Sequence, residues 1–289
     1  MSNLKNIRSR LRSVENIKKI TDTMERVAAA RLRQAQEKAE QSRPYIQKMQ
    51  QILEKIAETE VIHPLFEPRV VKKIGVIIVT ADKGLCGAYN TNIIHKANAF
   101  LKKYEPEQIE LILVGRKAID YYSRRNYTIK YELPGWAENL SFHNVALFSD
   151  QLVNRFLSKK TDEVWLIYTH FVSVMQTSVV IEKFLNIGKN LFEKKKEAKD
   201  PSTKKSENYI FEPGPTEILS DILPRYCVTR IQTVFYESYA SELAARIMAM
   251  QTASKNSEEM IEDLTMIKNK TRQRDITREM IEITSASNL

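Results

Sequence analysis

The sequence predicts an α/β fold in which the N- and C-terminal helices form a long antiparallel two-helix coiled coil, with a central Rossmann-like α/β domain between them. Helix-breaking residues avoid both ends of the chain: the first proline is Pro44, the first glycine is Gly75, and neither type occurs after Pro224. Apolar residues in both end segments recur at steps of three and four, which is typical of helices. Strand-like apolar runs alternate with helical segments in the middle.

The N-terminal segment, residues 1–58, is predicted to be one helix of the coiled coil. Its apolar positions form a single helical stripe. The stripe consists of Leu4, Ile7, Leu11, Val14, Ile17, Ile20, Met24, Val27, Ala28, Leu32 and Ala35. The pattern continues past Pro44, so we expect a kink there and not a break. His63 and Pro64 follow the segment and indicate its end.

The central segment, residues 70–212, is predicted to form the α/β domain. Strands are expected at 74–80, 110–115, 127–132, 163–171 and 175–184, with helices at 91–103, 116–125 and 145–157. Alternating strands and helices predict parallel pairing through crossover connections. The last two strands are close in sequence, which predicts a hairpin and one antiparallel edge.

The C-terminal segment, residues 220–289, is predicted to be the second helix, beginning at Ile222 with Pro224 in its first turn. Its seam of steps four and three starts apolar and turns polar after Leu264. The seam is Leu243, Ile247, Met250, Ser254, Ser257, Ile261, Leu264, Lys268 and Thr271. The 65 residues after Pro224 would span about 97 Å as a helix, against about 87 Å for residues 1–58. We therefore expect the C-terminal helix to overhang its partner.

Charge is unevenly distributed along the chain, whose formal net charge is +9 over 289 residues. Residues 1–58 carry 13 Lys or Arg against 7 Asp or Glu, whereas residues 225–289 carry 9 of each. A basic N-terminal helix implies either an acidic partner (nucleic acid, anionic lipid or protein) or a solvated helix face. The longest mostly apolar stretch, 164–175, is shorter than the ~20 residues that span a bilayer.

Candidate chemical sites are few. Gly84 and Gly87 follow the first strand and could approach a phosphate, but their spacing differs from that of dinucleotide-binding loops, so a plain strand-to-helix turn is favoured. Cys86 and Cys227 form no disulfide framework and no metal pattern. The four histidines are scattered. We therefore predict no catalytic residue, no metal and no cofactor, with a nucleotide-using enzyme as an alternative that a nucleotide-binding assay would test.

The run from residue 269 to 277 is unusual because it is polar all round and free of helix breakers where the seam has ended. An isolated polar helix is marginal in water, so the run is either a frayed tail or a helix held in a socket of another protein. In a socket, hydrogen-bond donors would be Arg272, Gln273, Arg274 and Thr277. The apolar residues Ile276, Met280 and Ile283 favour a socket, because they need an apolar collar.

Motifs in all three segments resemble those of the gamma subunit of F-type ATP synthase. They are KKITDTMERVAAAR at 18–31, DKGLCGAYN at 82–90, ELAARIMAM at 242–250 and RQRDITREMIEI at 272–283. The resemblance spans the whole chain in order. It implies a central rotor stalk that couples rotation of a proton- or sodium-driven membrane ring to conformational cycling of catalytic beta subunits, and that is itself not an enzyme.

The same resemblance implies partners and contact residues. The partners are the alpha and beta subunits of the catalytic head, the epsilon subunit and the c-subunit ring, with one copy of this chain per complex and no nucleic acid. The complex would lie on the cytoplasmic face of a bacterial inner membrane, with this chain peripheral to it. Contacts to beta are implied for Met24, Arg246, Arg272, Gln273 and Thr277. Contacts to the membrane ring are implied for Tyr209, Phe211 and Glu212.

One alternative function remains open at this point, a basic helical-hairpin module that binds nucleic acid. The N-terminal helix has the necessary charge. Its first aromatic residue is Tyr45, so the helix lacks the interleaved aromatic residues on which bases stack. Salt-dependent affinity for nucleic acid would distinguish this module from a rotor stalk, which would copurify with nucleotide-binding subunits.

Overall fold

The computed structural model describes residues 2–57, 63–138, 140–187 and 214–286. The chain divides into two compact units, one made of Met1–Arg31 with Arg246–Leu289 and the other of Leu32–Ala245. In chain order the elements are α1 (Ser2–Ala57), β1 (Ile74–Val79), α2 (Tyr89–Leu101), a short 3-10 turn (Pro106–Gln108), β2 (Ile109–Val114), α3 (Arg116–Tyr122), β3 (Thr128–Leu133), α4 (Phe142–Leu157), β4 (Glu163–Phe171), β5 (Thr177–Leu185) and α5 (Pro215–Ala286).

The five strands form one sheet with the order β3-β2-β1-β4-β5. β1 pairs in parallel with β2 and β4, β2 pairs in parallel with β3, and β4 pairs antiparallel with β5. Every residue of β1 and β2 is buried, as expected for central strands of a parallel sheet with both faces covered. The predicted mainly parallel α/β domain with one antiparallel edge is confirmed.

Two hydrophobic cores lie within the unit Leu32–Ala245. One contains Leu53 and Ile56 of α1, Phe156 of α4, and Leu223 and Ile231 of α5, together with inward residues of the sheet. The other is made by α2 and α3 against the sheet, with Ile93, Ala97, Ala118 and Tyr122 fully buried. The two long helices therefore contribute side chains to the core of the α/β domain as well as to the coiled coil.

The start of the last helix differs from the prediction. α5 begins at Pro215 and not at Ile222, so Pro224 lies inside the helix. The earlier start is explained by packing, because Leu219 and Leu223 are almost fully buried in the first core. Their burial offsets the backbone hydrogen bond that Pro224 does not donate. Pro215 occupies the first helical position, where a proline loses nothing. Pro44 likewise lies inside α1.

Candidate partner-contact surface

The unit made of Met1–Arg31 and Arg246–Leu289 is an antiparallel pair of helix segments. Three cross-helix hydrogen bonds join them: Lys18 Nζ to Glu258 Oε1 at 2.7 Å, Ser254 Oγ to Asp22 Oδ1, and Gln251 Nε2 to Glu25 Oε1 at 2.8 Å. As the residue number rises along α1, that of its partner falls along α5. The bonds pair residue n of α1 with residue 276 − n of α5, which fixes the register of the coiled coil.

The seam of α1 differs from the predicted stripe in its middle turns. Ile17, Ile20 and Val27 are exposed, whereas Thr21 and Ala28 are buried. A two-stranded coil keeps an interval of 3.5 residues against its partner. That interval runs from Val14 through 18, 21 and 25 to Ala28, and it leaves the isoleucines on the flank. On α5, the predicted seam residues Ile247, Met250, Ser257 and Thr271 are buried.

The middle of the seam is polar on both helices. The hydroxyl of Thr21 donates to the carbonyl of Lys18 at 2.9 Å, and that of Ser257 donates to the carbonyl of Ala253 at 2.7 Å. The hydrogen bond to Glu258 raises the pKa of the Lys18 ammonium group above its ordinary value. Polar side chains of one helix therefore meet polar side chains of the other, so the layer contains satisfied hydrogen bonds in place of apolar packing.

The end of α5 lies beyond the reach of α1. In the observed register Arg274 is level with Ser2, the first residue described in α1, so no described residue of α1 is level with the helix from Ile276 to Ala286. The exposed fractions there are 49% for Ile276, 62% for Met280, 59% for Ile281 and 68% for Ile283. The predicted overhang is confirmed within this unit. Four large apolar side chains thus remain largely in solvent on one short helical segment.

This end of α5 has two chemically different faces. In a helix of about 3.6 residues per turn, one face within about 140° of arc carries Arg272, Gln273, Ile276, Thr277, Met280 and Ile283. The opposite face carries Arg274, Asp275, Arg278, Glu279 and Glu282. On the charged face Arg278 Nε lies 2.9 Å from Glu282 Oε1. Sequence reasoning grouped Arg274 with Arg272, Gln273 and Thr277 as donors, whereas the helical arc places Arg274 on the opposite face.

The predicted beta-contact residues fall into two groups. Arg272, Gln273 and Thr277 lie together and are exposed, and the Thr277 hydroxyl donates to the carbonyl of Gln273 at 2.9 Å. Arg246 is 26 residues earlier on α5, about 39 Å along the helix. Met24 is level with residue 252, about 9 Å from Arg246 along the axis, and both side chains are half-buried. The predicted ring-contact residues Tyr209, Phe211 and Glu212 lie outside the described residues.

The glycine-containing loop after β1 forms hydrogen bonds within itself and with the two connections beside it. The side chain of Asn90 accepts from the backbone N–H of Ala81 at 2.9 Å. Asp82 Oδ1 accepts from the backbone N–H groups of Arg116 at 3.0 Å and Gly135 at 2.8 Å. These backbone donors are therefore not available to a phosphate. The geometry favours the plain strand-to-helix turn over a nucleotide-binding loop.

None of the helices described between residues 2 and 286 is long and apolar enough to cross a membrane. Across the same described residues, no three side chains of the His, Cys, Asp and Glu types come together as a group that could hold a metal ion.

Comparison with known proteins gives full-length matches. A family model described as ATP synthase matches residues 3–288. The ATP synthase gamma chain of Protochlamydia amoebophila is 48% identical over 289 residues, 99% of each chain. That of Desulfitobacterium hafniense is 38% identical over 285 residues, 98% of this chain and 97% of the other. None of these matches supports the nucleic-acid alternative.

Solved structures match the fold at low identity. One from the central stalk and c-ring of the Tetrahymena thermophila mitochondrial ATP synthase has a TM-score of 0.61 and 23% identity, covering 81% of this chain and 99% of the other. One from the OSCP/F1/c-ring of the Euglena gracilis mitochondrial ATP synthase has a TM-score of 0.66 and 18% identity, covering 99% and 94%. These matches agree with the predicted fold class.

Proposed function

The chain belongs to the ATP synthase gamma-chain family, and from this premise we propose that it is the central rotor stalk of a proton- or sodium-driven F-type ATP synthase. In this role it couples rotation of a membrane ring to conformational cycling of catalytic beta subunits. The chain performs no bond chemistry of its own. The nucleotide sites belong to the catalytic head, which agrees with the strand-to-helix turn after β1, where Asn90 and Asp82 already accept from backbone N–H groups.

The overhanging end of α5 is the observation that carries the proposal. Fraying gives no physical reason for one helix face to combine Arg272, Gln273 and Thr277 with three large apolar side chains. An apolar collar with acceptor groups at its rim would satisfy both kinds of residue. The other face is charged and includes the Arg278–Glu282 pair. The two faces would offer different contacts to the beta subunits around them, and only differential contact energy can shift a conformational equilibrium.

The finer assignments follow from family membership. We assign contacts with the beta subunits to Met24, Arg246, Arg272, Gln273 and Thr277, and contacts with the membrane ring to Tyr209, Phe211 and Glu212. The partners are one set of alpha and beta subunits, an epsilon subunit and a c-ring, with a single copy of this chain in each complex. We place the chain peripherally at the cytoplasmic face of a bacterial membrane. We divide it into helix 1–58, domain 70–212 and helix 220–289.

The energetics of exposed contacts suit a rotor. An exposed ion pair contributes about 0–1 kcal/mol, so no single contact of Arg272 with an acidic loop would form a deep barrier to rotation. A charged helix face can exchange such contacts as it turns. Burial of apolar residues at the tip is less directional, so it can hold the shaft in place without fixing its angle.

Co-expression of the tagged full-length chain with the alpha and beta subunits of its own source tests the proposal. We expect a copurifying complex that hydrolyses ATP. A chain ending at Asp275 should enter this complex more weakly, because it lacks four apolar side chains that are 49–68% exposed in the free chain. A chain ending at Ala286 is the matched control and should behave as the full-length chain.

The magnitude follows from the exposed area. Full burial of such a side chain contributes about 1.5–3 kcal/mol, so burying the exposed part of four contributes about 4–7 kcal/mol. Ordering these side chains costs about 0.5–1.5 kcal/mol each, or about 2–6 kcal/mol for the four, which leaves about 1–2 kcal/mol, or roughly a 5- to 30-fold loss of affinity. Equal affinity of both truncated chains would contradict the socket. Copurification with nucleic acid, and not with beta, would contradict the rotor.

A further inference from the structure

A cavity of about 510 Å³ lies at the amino-terminal ends of the parallel strands, within the unit Leu32–Ala245. Its walls come from the residues before β1 and β4, from β2 and β3, and from the end of α4. Eight side chains line it and all are charged. Two are the carboxylates Glu110 and Asp162. Six are cations: Lys72, Lys73, Lys130, Arg155, Lys159 and Lys160.

Both carboxylates are already neutralised or bonded by the fold. Glu110 is buried, pairs with the guanidinium of Arg155, and lies 3.6 Å from the ammonium group of Lys130. Asp162 Oδ2 accepts from the backbone N–H groups of Lys72 and Lys73 at 2.8 and 2.9 Å. Glu110 therefore interacts with two of the six cations, Arg155 and Lys130, and Asp162 accepts hydrogen bonds from the backbone. The side-chain ammonium groups of the remaining lysines keep their charge for another ligand.

The four remaining lysines are Lys72, Lys73, Lys159 and Lys160, and all are exposed. None of them forms an ion pair with a carboxylate among the residues that the structure describes. The C-terminal end of α4 attracts cations through its dipole, which explains a positive residue after Leu157. It does not explain Lys72 and Lys73, which come from a different segment. Convergence of like charges from separate elements is unfavourable unless an anion joins them.

The backbone supports the same interpretation. Lys159 adopts a left-handed conformation with φ of +55° directly after the residue that caps α4, where glycine is the favoured residue. Its backbone N–H donates to the carbonyl of Phe156 at 3.1 Å. The left-handed conformation costs free energy for a lysine that it does not cost for a glycine. Such a cost is consistent with a need for the side chain at this point.

We propose that this pocket binds a compact ligand that carries two or more phosphate charges. Four point charges around a concave space match phosphate oxygens, which accept hydrogen bonds from lysine in any direction. Among the described residues, no apolar or aromatic side chain lines the pocket, so a nucleobase or an acidic peptide would gain little beyond its charges. The proposal is independent of the rotor role, because the pocket includes none of the residues assigned to beta or to the ring.

Titration calorimetry of the full-length chain with inorganic tripolyphosphate at about 0.1 M salt tests the proposal. We expect saturable binding with one site per chain. The variant K159Q/K160Q should bind about tenfold more weakly, since it removes two of the four available cations. The variant K102Q/K103Q is the matched control, because Lys102 and Lys103 also directly follow a helix end, at Leu101 of α2. It should bind within about twofold of the wild type.

Vesicle flotation distinguishes the two sources of phosphate. Flotation with phosphatidylcholine vesicles that contain cardiolipin, whose headgroup carries two phosphates, but not with phosphatidylcholine vesicles alone, lost in K159Q/K160Q, would assign the pocket to lipid headgroups. Binding of tripolyphosphate without flotation would assign it to a free phosphate compound. The proposal is overturned if tripolyphosphate does not saturate, if both double variants weaken binding equally, or if poly-glutamate binds where tripolyphosphate does not.

Discussion

Replacing Glu182 with glutamine should destabilise the unit Leu32–Ala245 by about 2 kcal/mol. Glu182 lies on the antiparallel edge strand β5, and Arg230 of α5 contacts both of its carboxylate oxygens, at 2.6 Å for Oε2. The same Nη2 atom also donates to the Tyr168 hydroxyl at 3.3 Å. The side chains of Arg230 and Glu182 are 30% and 26% exposed. The pair therefore fastens the long helix to the edge of the sheet from a partly buried position.

The magnitude follows from this burial. Removing one partner of a fully buried ion pair costs about 3–5 kcal/mol, whereas an exposed pair contributes about 0–1 kcal/mol. A pair exposed by between a quarter and a third lies between these limits. Glutamine keeps the shape and one acceptor oxygen, and the Tyr168 hydroxyl still accepts from Arg230. We therefore expect a loss of about 2 kcal/mol, within the usual range for a hydrogen bond to a charged group.

Urea unfolding of the full-length chain, followed by circular dichroism, measures this loss as a lower midpoint at unchanged slope. The variants E182Q, R230Q and E182Q/R230Q complete a double-mutant cycle. We expect a coupling energy of about 1–2 kcal/mol, because the second substitution removes a charge that the first had left unpaired. A single-variant loss below about 0.5 kcal/mol, or strictly additive losses, would refute the inference that this contact fastens α5 to the sheet.

Two further predictions concern the backbone and the buried thiol. The variant Gly115→Ala should lose more than about 3 kcal/mol or fail to accumulate as soluble protein, because φ is +92° and a Cβ atom would lie 2.1 Å from the Thr80 carbonyl oxygen. Gly84→Ala, where a Cβ atom meets nothing within 4 Å, is the control in thermal denaturation. Burial raises the pKa of the Cys227 thiol to about 12 from its ordinary 9.0. The folded state thus retains a proton that the unfolded state releases, and stability should fall as pH rises from about 9 towards 12. Urea midpoints at several alkaline pH values should show a flatter decline in Cys227→Ala, and an unchanged slope would contradict this.

Elements with continuous local signals could be predicted from the sequence. β1 is an uninterrupted apolar run and β2 is interrupted only by Glu110, and the structure buries every residue of both strands. The start of α5 could not be predicted in the same way. Gly214 followed by Pro215 is typical of a turn, whereas the helix begins there because Leu219 and Leu223 find a core contributed by distant parts of the chain. Burial in the tertiary structure therefore sets the start of α5, which local sequence propensity does not determine.

The candidate sites show the same division. The overhang of α5 follows from helix length alone, so the sequence was enough to select Arg272, Gln273 and Thr277 as candidate contact residues. The choice between Ile20 and Thr21 for the seam depends on the register against α5, because both residues continue a spacing of three and four. The basic pocket had no local signal at all. Its two lysine pairs are 87 residues apart, counted from Lys72 to Lys159, and only strand order brings the starts of β1 and β4 together.

The amino and carboxyl ends of the parallel strands differ in chemistry, and this difference bears on where the domain can bind an anion. Ligands of open α/β sheets bind outside the carboxyl ends of the strands, where the strand order reverses. Here that position lies beside β1, where Asn90 accepts from the backbone N–H of Ala81 and Asp82 accepts from the backbone N–H groups of Arg116 and Gly135. Anion-binding capacity instead lies at the amino ends, on lysine side chains and not on backbone N–H groups. Gly84→Ala should therefore leave tripolyphosphate binding unchanged while K159Q/K160Q weakens it. If Gly84→Ala weakens binding and K159Q/K160Q does not, the ligand binds at the loop after β1 and not at the amino ends of the strands.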